Sequence, residues 1–354
     1  MPSIASDKLH ALTRAVCAAA GSFEREANLV ADHLVEANLT GHDSHGVGLL
    51  PVYVENVSAG RLAPNRHAEL VSERGAVLVI EGGRGYGQVI GYEAMQLGMA
   101  RARDQGVALL AVRNSFPLGR IGHFAEQCAR GGFASIHFVN VIDHPPLQAP
   151  YGGAEARFNT NPFCAALPGE EGAAVVLDMA TSKIAIGKAR VARNKGVPVP
   201  EDSLLDAAGR PTRNGGVMFQ QPQGALIAMG EHKGSGLAIV CELLAGALTG
   251  GRTAQPAHPQ TGGIINNMLS VIIDPDAFGD RHRLQGEIGA LIAYVKSARP
   301  RPGFDEVLVP GEPERRRRAE RLAHGIEVDE RTWAEIVAAA GTLGLDAEQI
   351  TLDG

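Results

Sequence analysis

The chain is helical in pattern at both ends and mixed in the middle, and this arrangement limits the folds it can adopt. Apolar residues recur at helical spacing before residue 40 and again after residue 284. Between Pro64 and Asp274, short apolar runs typical of buried strands alternate with helical segments. The sequence therefore predicts an α+β fold with a mixed sheet. Its predicted units are a discontinuous helical domain from residues 1–70 and 285–354 and an α+β domain from residues 71–284.

Two predictions inside the central domain concern secondary structure. Residues 188–223 are rich in Gly, Pro and Asn and show little periodicity, so we expect a long surface loop there. Residues 233–248 are predicted to form a strong helix, with Leu237, Cys241, Leu244 and Leu248 on one apolar face.

Composition and charge exclude several classes of function. The net charge of −6 gives no attraction to nucleic acid or to an anionic membrane. The one basic run, at residues 315–318, has glutamates around it and is predicted to be a solvated, ion-paired helix face. No apolar run reaches the roughly 18 residues that span a bilayer. The first 21 residues lack the pattern of a signal peptide, and the four cysteines are widely spaced. We therefore expect a cytoplasmic protein with reduced thiols.

The stretch GHDSHGVG, residues 41–48, places two imidazoles, a carboxylate and a hydroxyl within four positions. His45 is the candidate proton-transferring group, because histidine titrates near neutral pH. A metal site would need a fourth ligand that no other cluster supplies, so we predict no metal. A hydrolase is disfavoured because no G-x-S-x-G occurs. A purely structural role for the loop remains open.

A second glycine-rich stretch, at residues 82–87, follows a strand pattern and precedes a helix pattern. It does not match G-x-G-x-x-G in register, and no acidic residue clearly ends the next strand at the usual distance. A plain glycine turn is therefore favoured over a Rossmann phosphate loop.

Two other stretches suit a phosphate-bearing cofactor. Lys233 lies among small residues at a helix start, where backbone N–H groups and the helix dipole favour an anion. Asp178, Thr181 and Ser182 follow a buried strand and can hold hydroxyl groups. For both stretches a local structural role, as a softened helix start or as turn and cap residues, stays open.

Together these motifs resemble the malate/L-lactate dehydrogenase family, whose cofactor domain is not a Rossmann fold. The resemblance covers essentially the whole chain. The motifs that carry it, in order, are GHDSHGVG, RNS at 113–115, GRIG at 119–122, NTNPFCAALP from 159, LDMATS from 177, KGVPVP from 195, EHKGSGLA from 231 and VPGEPE from 309.

The resemblance implies an enzyme that uses NAD or NADP to interconvert 2-hydroxy acids and 2-oxo acids, and that forms a homodimer. It implies that His45 is the general acid/base and that Ser44 and Asp43 orient it. The implied cofactor-binding residues are His45, Gly119, Arg120, Ile121, Thr160, Asn161, Asp178, Met179, Ala180, Thr181, Ser182, His232, Lys233, Asn266, Gly311, Glu312, Pro313 and Glu314. The dinucleotide would lie across the central domain, with a cavity linking His45 to the helix that begins near Lys233.

Two departures from the family pattern concern the substrate. Phe116 and Pro117 stand where many relatives have histidines, which predicts a more apolar substrate pocket. Leucines follow the DSHG loop where many relatives have an arginine, so Arg120, Arg157 or a main-chain amide must bind the substrate carboxylate. Two alternatives stay open, namely a reductase of cyclic ketimines such as piperideine- or pyrroline-2-carboxylate and a cofactor-binding relative that has lost catalysis.

Overall fold

The computed structural model describes residues 3–170, 172–258 and 262–353. The outer ends of the predicted helical unit, Met1 and Gly354, lie outside these ranges. The helices are α1 Ser6–Ala19, α2 Glu24–Leu39, α3 Leu50–Ser58, α4 Gly87–Gln105, α5 Gly122–Arg130, α6 Ile186–Lys195, α7 His232–Cys241, α8 Arg281–Lys296, α9 Glu312–His324, α10 Glu330–Thr342 and α11 Ala347–Asp353. The strands are β1 Ser3–Ile4, β2 Glu69–Arg74, β3 Val77–Glu81, β4 Val107–Ser115, β5 Ala134–Ile142, β6 Phe163–Pro168, β7 Ala173–Met179, β8 Leu204–Leu205, β9 Pro211–Thr212, β10 Ala225–Leu226, β11 Ile265–Ile273 and β12 Ile326–Glu327.

The centre of the fold is a seven-stranded mixed sheet in the order β2-β3-β4-β11-β5-β6-β7. The β3–β4 pair is parallel and the other pairs are antiparallel. β11 is the last of these seven strands in chain order and lies between β4 and β5, so both of its sides are hydrogen-bonded. β7 forms one edge. The prediction of a mixed α+β fold is confirmed.

Two large cores support the site. One joins helices from both chain ends, with Leu12, Leu34, Tyr53 and Ile336 among its buried members. The other lies between the sheet and the helices α4 and α5. The terminal helices thus share one core, as the apolar pattern at both chain ends suggests, although the predicted boundaries of the two domains stay a prediction.

The prediction of a long loop over residues 188–223 is wrong. This part of the chain contains most of α6 and the strands β8 and β9, which form a small sheet with β10 just beyond it in the order β10-β8-β9, and these elements have their own core that includes Ala189 and Leu204. Its glycines allow close backbone packing: a Cβ on Gly215 would lie 2.4 Å from the Ala189 carbonyl oxygen, and one on Gly224 would lie 2.2 Å from that of Leu205. The same glycines hide the periodicity in the sequence, because packing of backbone against backbone leaves no apolar pattern.

The predicted helix at 233–248 exists, but its apolar face is misassigned. α7 ends at Cys241 and continues as a π-helical segment, Glu242–Leu248. A π-helix has more residues per turn than an α-helix, so the buried face moves away from the predicted register. Ala245 and Gly246 are buried, whereas the Leu248 side chain is 67% exposed.

Among the described residues, no helix is long and apolar enough to span a membrane.

Candidate active site

The loop after α2 is held in one shape by Asn38. The Asn38 amide donates a hydrogen bond to Asp43 Oδ1 at 2.7 Å and accepts one from the backbone N–H of Val47 at 2.8 Å. A Cβ on Gly46 would lie 2.1 Å from Asn38 Oδ1, so glycine is required beside this amide. The loop is therefore organised by the chain itself.

Asp43 and Ser44 act on different parts of this loop. Ser44 Oγ lies 3.1 Å from Nδ1 of His45, within hydrogen-bond reach. The Asp43 carboxylate instead accepts hydrogen bonds from Arg321 of α9, at 2.6 and 3.0 Å. The resemblance implied that both residues orient His45, but the structure brings only the Ser44 hydroxyl to the ring. Asp43 anchors the loop to α9.

His45 is exposed, yet its pKa is lowered. The residue is exposed, and its Nε2 has no hydrogen-bond partner among the described residues. The surrounding protein nevertheless disfavours the charged ring and lowers the pKa of His45, while the Asp178 carboxylate opposes this shift and the His42 and Arg120 charges add to it. His45 thus presents an open nitrogen on a ring whose charged form the surrounding protein disfavours.

Asp178 lies at the end of β7, where it meets the start of α5. Its Oδ2 accepts a hydrogen bond from the backbone N–H of Gly122 at 2.7 Å. A Cβ on Gly122 would lie 2.9 Å from both Asp178 Oδ2 and Arg120 Nη2. The carboxylate and the guanidinium group therefore approach each other beside the backbone of the GRIG motif.

The Arg120 side chain is buried and ion-paired. Its guanidinium group makes a bidentate ion pair with Glu126, at 2.7 and 3.0 Å, and its side chain is 1% exposed. The Arg120 backbone N–H donates to Nε2 of His33 at 2.9 Å, and burial keeps the pKa of His33 well below its usual value. Glu126 therefore neutralises the enclosed guanidinium group, while its Nε is buried without a partner among the described residues, and the predicted contact of Arg120 with a substrate carboxylate stays a prediction.

The segment from Asp178 to Ser182 follows β7 and is hydrogen-bonded to the residues just before α7. The carbonyl oxygen of Thr160 accepts hydrogen bonds from the N–H and the hydroxyl of Thr181, at 2.9 and 2.8 Å. The Thr181 carbonyl in turn accepts from the N–H of Met229 at 2.9 Å, three residues before α7 begins. Backbone contacts thus join the segment after β7 to the residues that precede the helix carrying Lys233.

The start of α7 offers positive charge. His232 and Lys233 are exposed in its first turn, and no described carboxylate pairs with the Lys233 ammonium group. Although the N–H groups of Lys233, Gly234 and Ser235 donate to backbone carbonyls, the uncompensated cation at the positive end of the helix dipole fits a phosphate group. The prediction of an anion site at this position stays a prediction.

Two residues predicted to contact the cofactor, Asn161 and Asn266, make hydrogen bonds within the fold. The Asn161 amide is buried and donates to Glu242 Oε2 at 2.6 Å. Asn266 Oδ1 accepts a hydrogen bond from the Leu118 N–H at 2.8 Å. Both side-chain amides are therefore hydrogen-bonded within the fold, and their predicted contact with a cofactor stays a prediction.

The start of α9 lies against the histidine loop. The Pro310 carbonyl accepts a hydrogen bond from the Val176 N–H of β7 at 3.2 Å, and Gly311 follows with φ of 95°. Glu314 Oε1 lies 3.6 Å from His42 Nε2, and this contact holds the pKa of Glu314 below its usual value. The predicted closing segment, residues 311–314, therefore contacts both β7 and the loop that carries His45.

A cavity of about 740 Å³ lies between α1, α2, α5, β7 and α9. Thr40 and Glu314 line it near the histidine loop, and Glu126 lines it from α5. Neither His45 nor Lys233 belongs to its lining. The expected cavity between His45 and the start of α7 is therefore not this one, which lies behind the Arg120–Glu126 pair.

Known proteins similar to this chain identify its family. The profile of the malate/L-lactate dehydrogenase family matches residues 4–337. This chain belongs to the malate/L-lactate dehydrogenase family. It is therefore a 2-hydroxy-acid dehydrogenase, from a family that implies a nicotinamide cofactor.

Individual members of the malate/L-lactate dehydrogenase family are similar over almost their full length. Hydroxycarboxylate dehydrogenase B from Escherichia coli strain K12 is 46% identical over 344 residues, which is 97% of this chain and 94% of that protein. An L-lactate dehydrogenase from Cupriavidus necator is 39% identical, over 90% of this chain and 91% of its own. The solved structure of a malate/lactate dehydrogenase from E. coli, described as putative in its name, superposes with a TM-score of 0.94 at 44% identity, covering 99% of this chain and 98% of that one.

In this member of the malate/L-lactate dehydrogenase family, the predicted substrate residues lie apart. Phe116 is fully buried in the helical core, with its ring 6.0 Å from that of Tyr53. The expectation that Phe116 lines an apolar pocket is therefore wrong, because the core already encloses it. Pro117 is half-buried, and Arg157 is exposed and paired with Glu155 at 2.5 Å.

Sequence reasoning missed several residues that shape the site. Glu126 neutralises Arg120, His33 accepts from its backbone, and Arg321 fixes Asp43. Glu126, His33 and Arg321 each lie either far in sequence from the motif that they contact or on a helix face with no distinctive pattern. Only Arg321 had a signal in the sequence, since it follows the basic run that we predicted to be ion-paired.

Proposed function

We propose that this enzyme interconverts 2-hydroxy acids and 2-oxo acids with NAD or NADP, and that His45 exchanges the proton at the substrate oxygen. The observation that carries the proposal is the geometry of His45, whose Nδ1 lies beside Ser44 while Nε2 stays open on an exposed ring. The four cysteines are buried free thiols, which supports the proposed cytoplasmic location.

Several segments of the chain fit a dinucleotide by their chemistry. The uncompensated Lys233 at the start of α7 suits a pyrophosphate, and the backbone near Thr160 and at the GRIG motif can approach the rings closely. When bound, the nicotinamide supplies or accepts the hydride at the substrate carbon. The residues proposed to hold it are Gly119, Arg120 and Ile121 through their backbone, the segment 178–182, His232 and Lys233, and the segment 311–314.

His45 serves both directions of the reaction through one nitrogen. Neutral His45 accepts the hydroxyl proton of a 2-hydroxy acid at Nε2, and protonated His45 returns it to the oxygen of a 2-oxo acid. Ser44 holds Nδ1, so the ring keeps its orientation in both states. Arg120, Arg157 or a main-chain amide is proposed to bind the substrate carboxylate.

Replacement of His45 tests the proposal. His45→Ala should lower turnover by roughly 10²–10⁴-fold, the usual cost of losing a general acid/base. Binding of NADH, followed by its fluorescence, should persist, because Lys233 and the segment 178–182 remain. His67→Ala is the control, since that side chain is 61% exposed and pairs with Glu93 away from the site. Near-normal turnover in His45→Ala would remove His45 from the mechanism.

A substrate panel then defines the reaction. Alkyl and aryl 2-oxo acids and two cyclic ketimines, piperideine- and pyrroline-2-carboxylate, are assayed at the absorbance of NADH and NADPH. Turnover of 2-oxo acids alone supports the proposal. Turnover of the ketimines alone would reassign the substrate, and cofactor binding without any turnover would indicate a relative that has lost catalysis.

A further inference from the structure

A carboxylate is buried where α7 passes into the π-helical segment. Glu242 is the first residue of that segment and is 8% exposed. Its Oε1 accepts hydrogen bonds from Asn140 Nδ2 at 3.0 Å and from the Ala254 N–H at 2.7 Å, and its Oε2 accepts one from Asn161 Nδ2 at 2.6 Å. All three donors are neutral groups. A carboxylate is costly to bury unless such bonds satisfy it, so these three contacts determine where it lies.

The two asparagines pack tightly against the same helical turn. The Asn161 amide also donates to the Ala238 carbonyl of α7 at 3.1 Å. A Cβ on Gly246 of the π-helical segment would lie 2.7 Å from both Asn140 Nδ2 and the Arg252 carbonyl oxygen, so glycine is required there. π-helical turns are rare and are often found at functional sites. Here the turn places one carboxylate against two side-chain amides, one from β5 and one from the chain just before β6.

Asn161 connects Glu242 to one part of the proposed cofactor site. The carbonyl of Thr160, its neighbour in the chain, accepts hydrogen bonds from the N–H and the hydroxyl of Thr181, at 2.9 and 2.8 Å. Thr181 belongs to the segment 178–182, which is proposed to hold the cofactor. A shift of the Asn161 side chain would therefore displace the Thr160 carbonyl and the segment bonded to it.

Asn140 connects Glu242 to a second part of that site. The Asn140 carbonyl accepts a hydrogen bond from Asn266 Nδ2 at 3.3 Å, and Asn266 Oδ1 accepts one from the Leu118 N–H at 2.8 Å. Leu118 directly precedes the GRIG motif, whose backbone is also proposed to approach the cofactor. The two oxygens of one carboxylate thus lead to two different backbone segments of the site.

We infer that Glu242 is a positioning residue, which holds these two backbone segments at the spacing that the cofactor requires. This role rests on the proposed function, because both segments must bind the dinucleotide. A carboxylate suits the role, since it accepts hydrogen bonds at two oxygens at once, whereas an amide has only one acceptor oxygen. The spacing matters because a misplacement of about 1 Å at a reacting group can lower a rate by about 10²-fold.

Glu242→Gln tests this role with a side chain of nearly the same size. Whichever way the new amide turns, its NH₂ group faces an N–H donor, either that of Asn161 or those of Asn140 and Ala254, so one of the two connections must move. We expect the binding of NADH or NADPH, followed by cofactor fluorescence, to weaken about tenfold. At saturating cofactor, turnover of a 2-oxo acid should fall by roughly 10–100-fold.

Glu26→Gln is the matched control. The Glu26 carboxylate is also buried, and it accepts hydrogen bonds from the Ser22 hydroxyl at 2.7 Å and from the Asn65 N–H at 2.9 Å. Glu26 lies in the first turn of α2, whereas the histidine loop follows the last turn of that helix. Urea titration measures the stability of each variant, and Glu26→Gln should keep the cofactor affinity and turnover of wild type even where its unfolding midpoint falls.

Each outcome decides whether Glu242 has this role. Unchanged cofactor affinity and turnover in folded Glu242→Gln, or equal losses in both glutamine variants, would overturn it. If Glu242→Gln does not fold, Glu242→Asp keeps the charge but withdraws the oxygens, and it should weaken cofactor binding about threefold more than Glu26→Asp does. Equal effects of the two aspartate variants would also overturn it. A wild type that binds no cofactor would overturn the proposed function and the role of Glu242 together, whereas active wild type with unaffected variants would overturn the role of Glu242 alone.

Discussion

A methyl group at position 46 would disrupt the histidine loop. In Gly46→Ala the new Cβ would collide with the Asn38 amide, which must then give up its bonds to Asp43 and Val47. We expect a loss of about 2 kcal/mol in the free energy of unfolding, from two hydrogen bonds and the displaced side chain, together with reduced turnover. Urea titration and steady-state assays measure the two effects.

Gly341→Ala is the control for this substitution. It lies in α10, and nothing is within 4 Å of a Cβ built there. Alanine should leave turnover unchanged and stabilise the helix by up to about 1 kcal/mol. If both glycine variants behaved alike, Asn38 would not be the reason for glycine at position 46.

The lowered pKa of His45 predicts opposite pH dependences for the two directions of the reaction. Protonated His45 is needed to reduce a 2-oxo acid, so kcat/KM for reduction should fall as the pH rises through the pKa of His45, which lies below its usual value near 6.5. For oxidation, kcat/KM should rise through the same pKa. In Asp178→Asn both profiles should move to lower pH, because the carboxylate raises this pKa. Unmoved profiles would contradict the assignment of His45.

At the residue scale, the sequence predicts contacts between neighbours better than contacts across the fold. Ser44 and His45 are adjacent, and their side chains do meet. Arg120 was predicted to contact ligands, and the sequence does not show that the chain turns after it into α5 and brings Glu126 to its guanidinium group. Phe116 looked like a pocket residue, yet β4 ends inside the helical core. Which residues bind the cofactor stays a prediction.

At the element scale, the basic run on α9 separates surface ion pairs from those that hold the loop. The prediction of an ion-paired face is confirmed, since Arg316 pairs with Glu306, Arg317 with Glu320 and Arg318 with Glu36. Arg321, one turn later, instead pairs with Asp43 and is only 17% exposed.

This difference predicts unequal effects of two similar substitutions. Arg321→Ala should release Asp43 from α9 and cost about 1–2 kcal/mol of stability, with a loss of turnover, because it removes a bidentate and partly buried contact. Arg317→Ala removes a pair within one exposed helix and should change stability by less than about 0.5 kcal/mol. Thermal unfolding and turnover of both variants test this, and equal losses would mean that Asp43 is not what Arg321 holds.

Elements with a regular apolar period were predictable, and those built by backbone packing were not. The last long helix begins where expected, and Asp329 caps it by accepting from the Thr332 N–H. The small sheet of β8, β9 and β10, which extends from residues 188–223 to Leu226, escaped prediction because its strands are two residues long. The π-helical segment escaped prediction because a period of 3.6 residues was assumed throughout.

At the scale of the whole molecule, buried histidines tie stability to pH. His137 lies in β5 with its ring between the hydroxyls of Ser270 and Ser135, at 2.8 and 3.0 Å. Burial lowers the pKa of His137 to about 3, and burial likewise lowers that of His123 to about 4. In the unfolded chain both rings titrate near 6.5. Below that pH the unfolded chain binds protons that the folded protein does not, so stability falls as the pH falls.

His137→Gln isolates one of these contributions. Each such histidine removes up to about 1.4 kcal/mol per pH unit below 6.5, so wild type should lose roughly 2 kcal/mol more than the variant between pH 7.5 and 5.0. The variant is expected to be less stable at pH 7.5, since a packed ring is lost, but its unfolding free energy should depend less on pH. Urea titrations at the two pH values measure the difference. His67→Gln, at an exposed position, should keep the wild-type dependence. If the unfolding free energies of wild type and His137→Gln depended equally on pH, the His137 ring would already be protonated in the folded protein. In that case both serine hydroxyls would have to accept hydrogen bonds from the ring N–H groups.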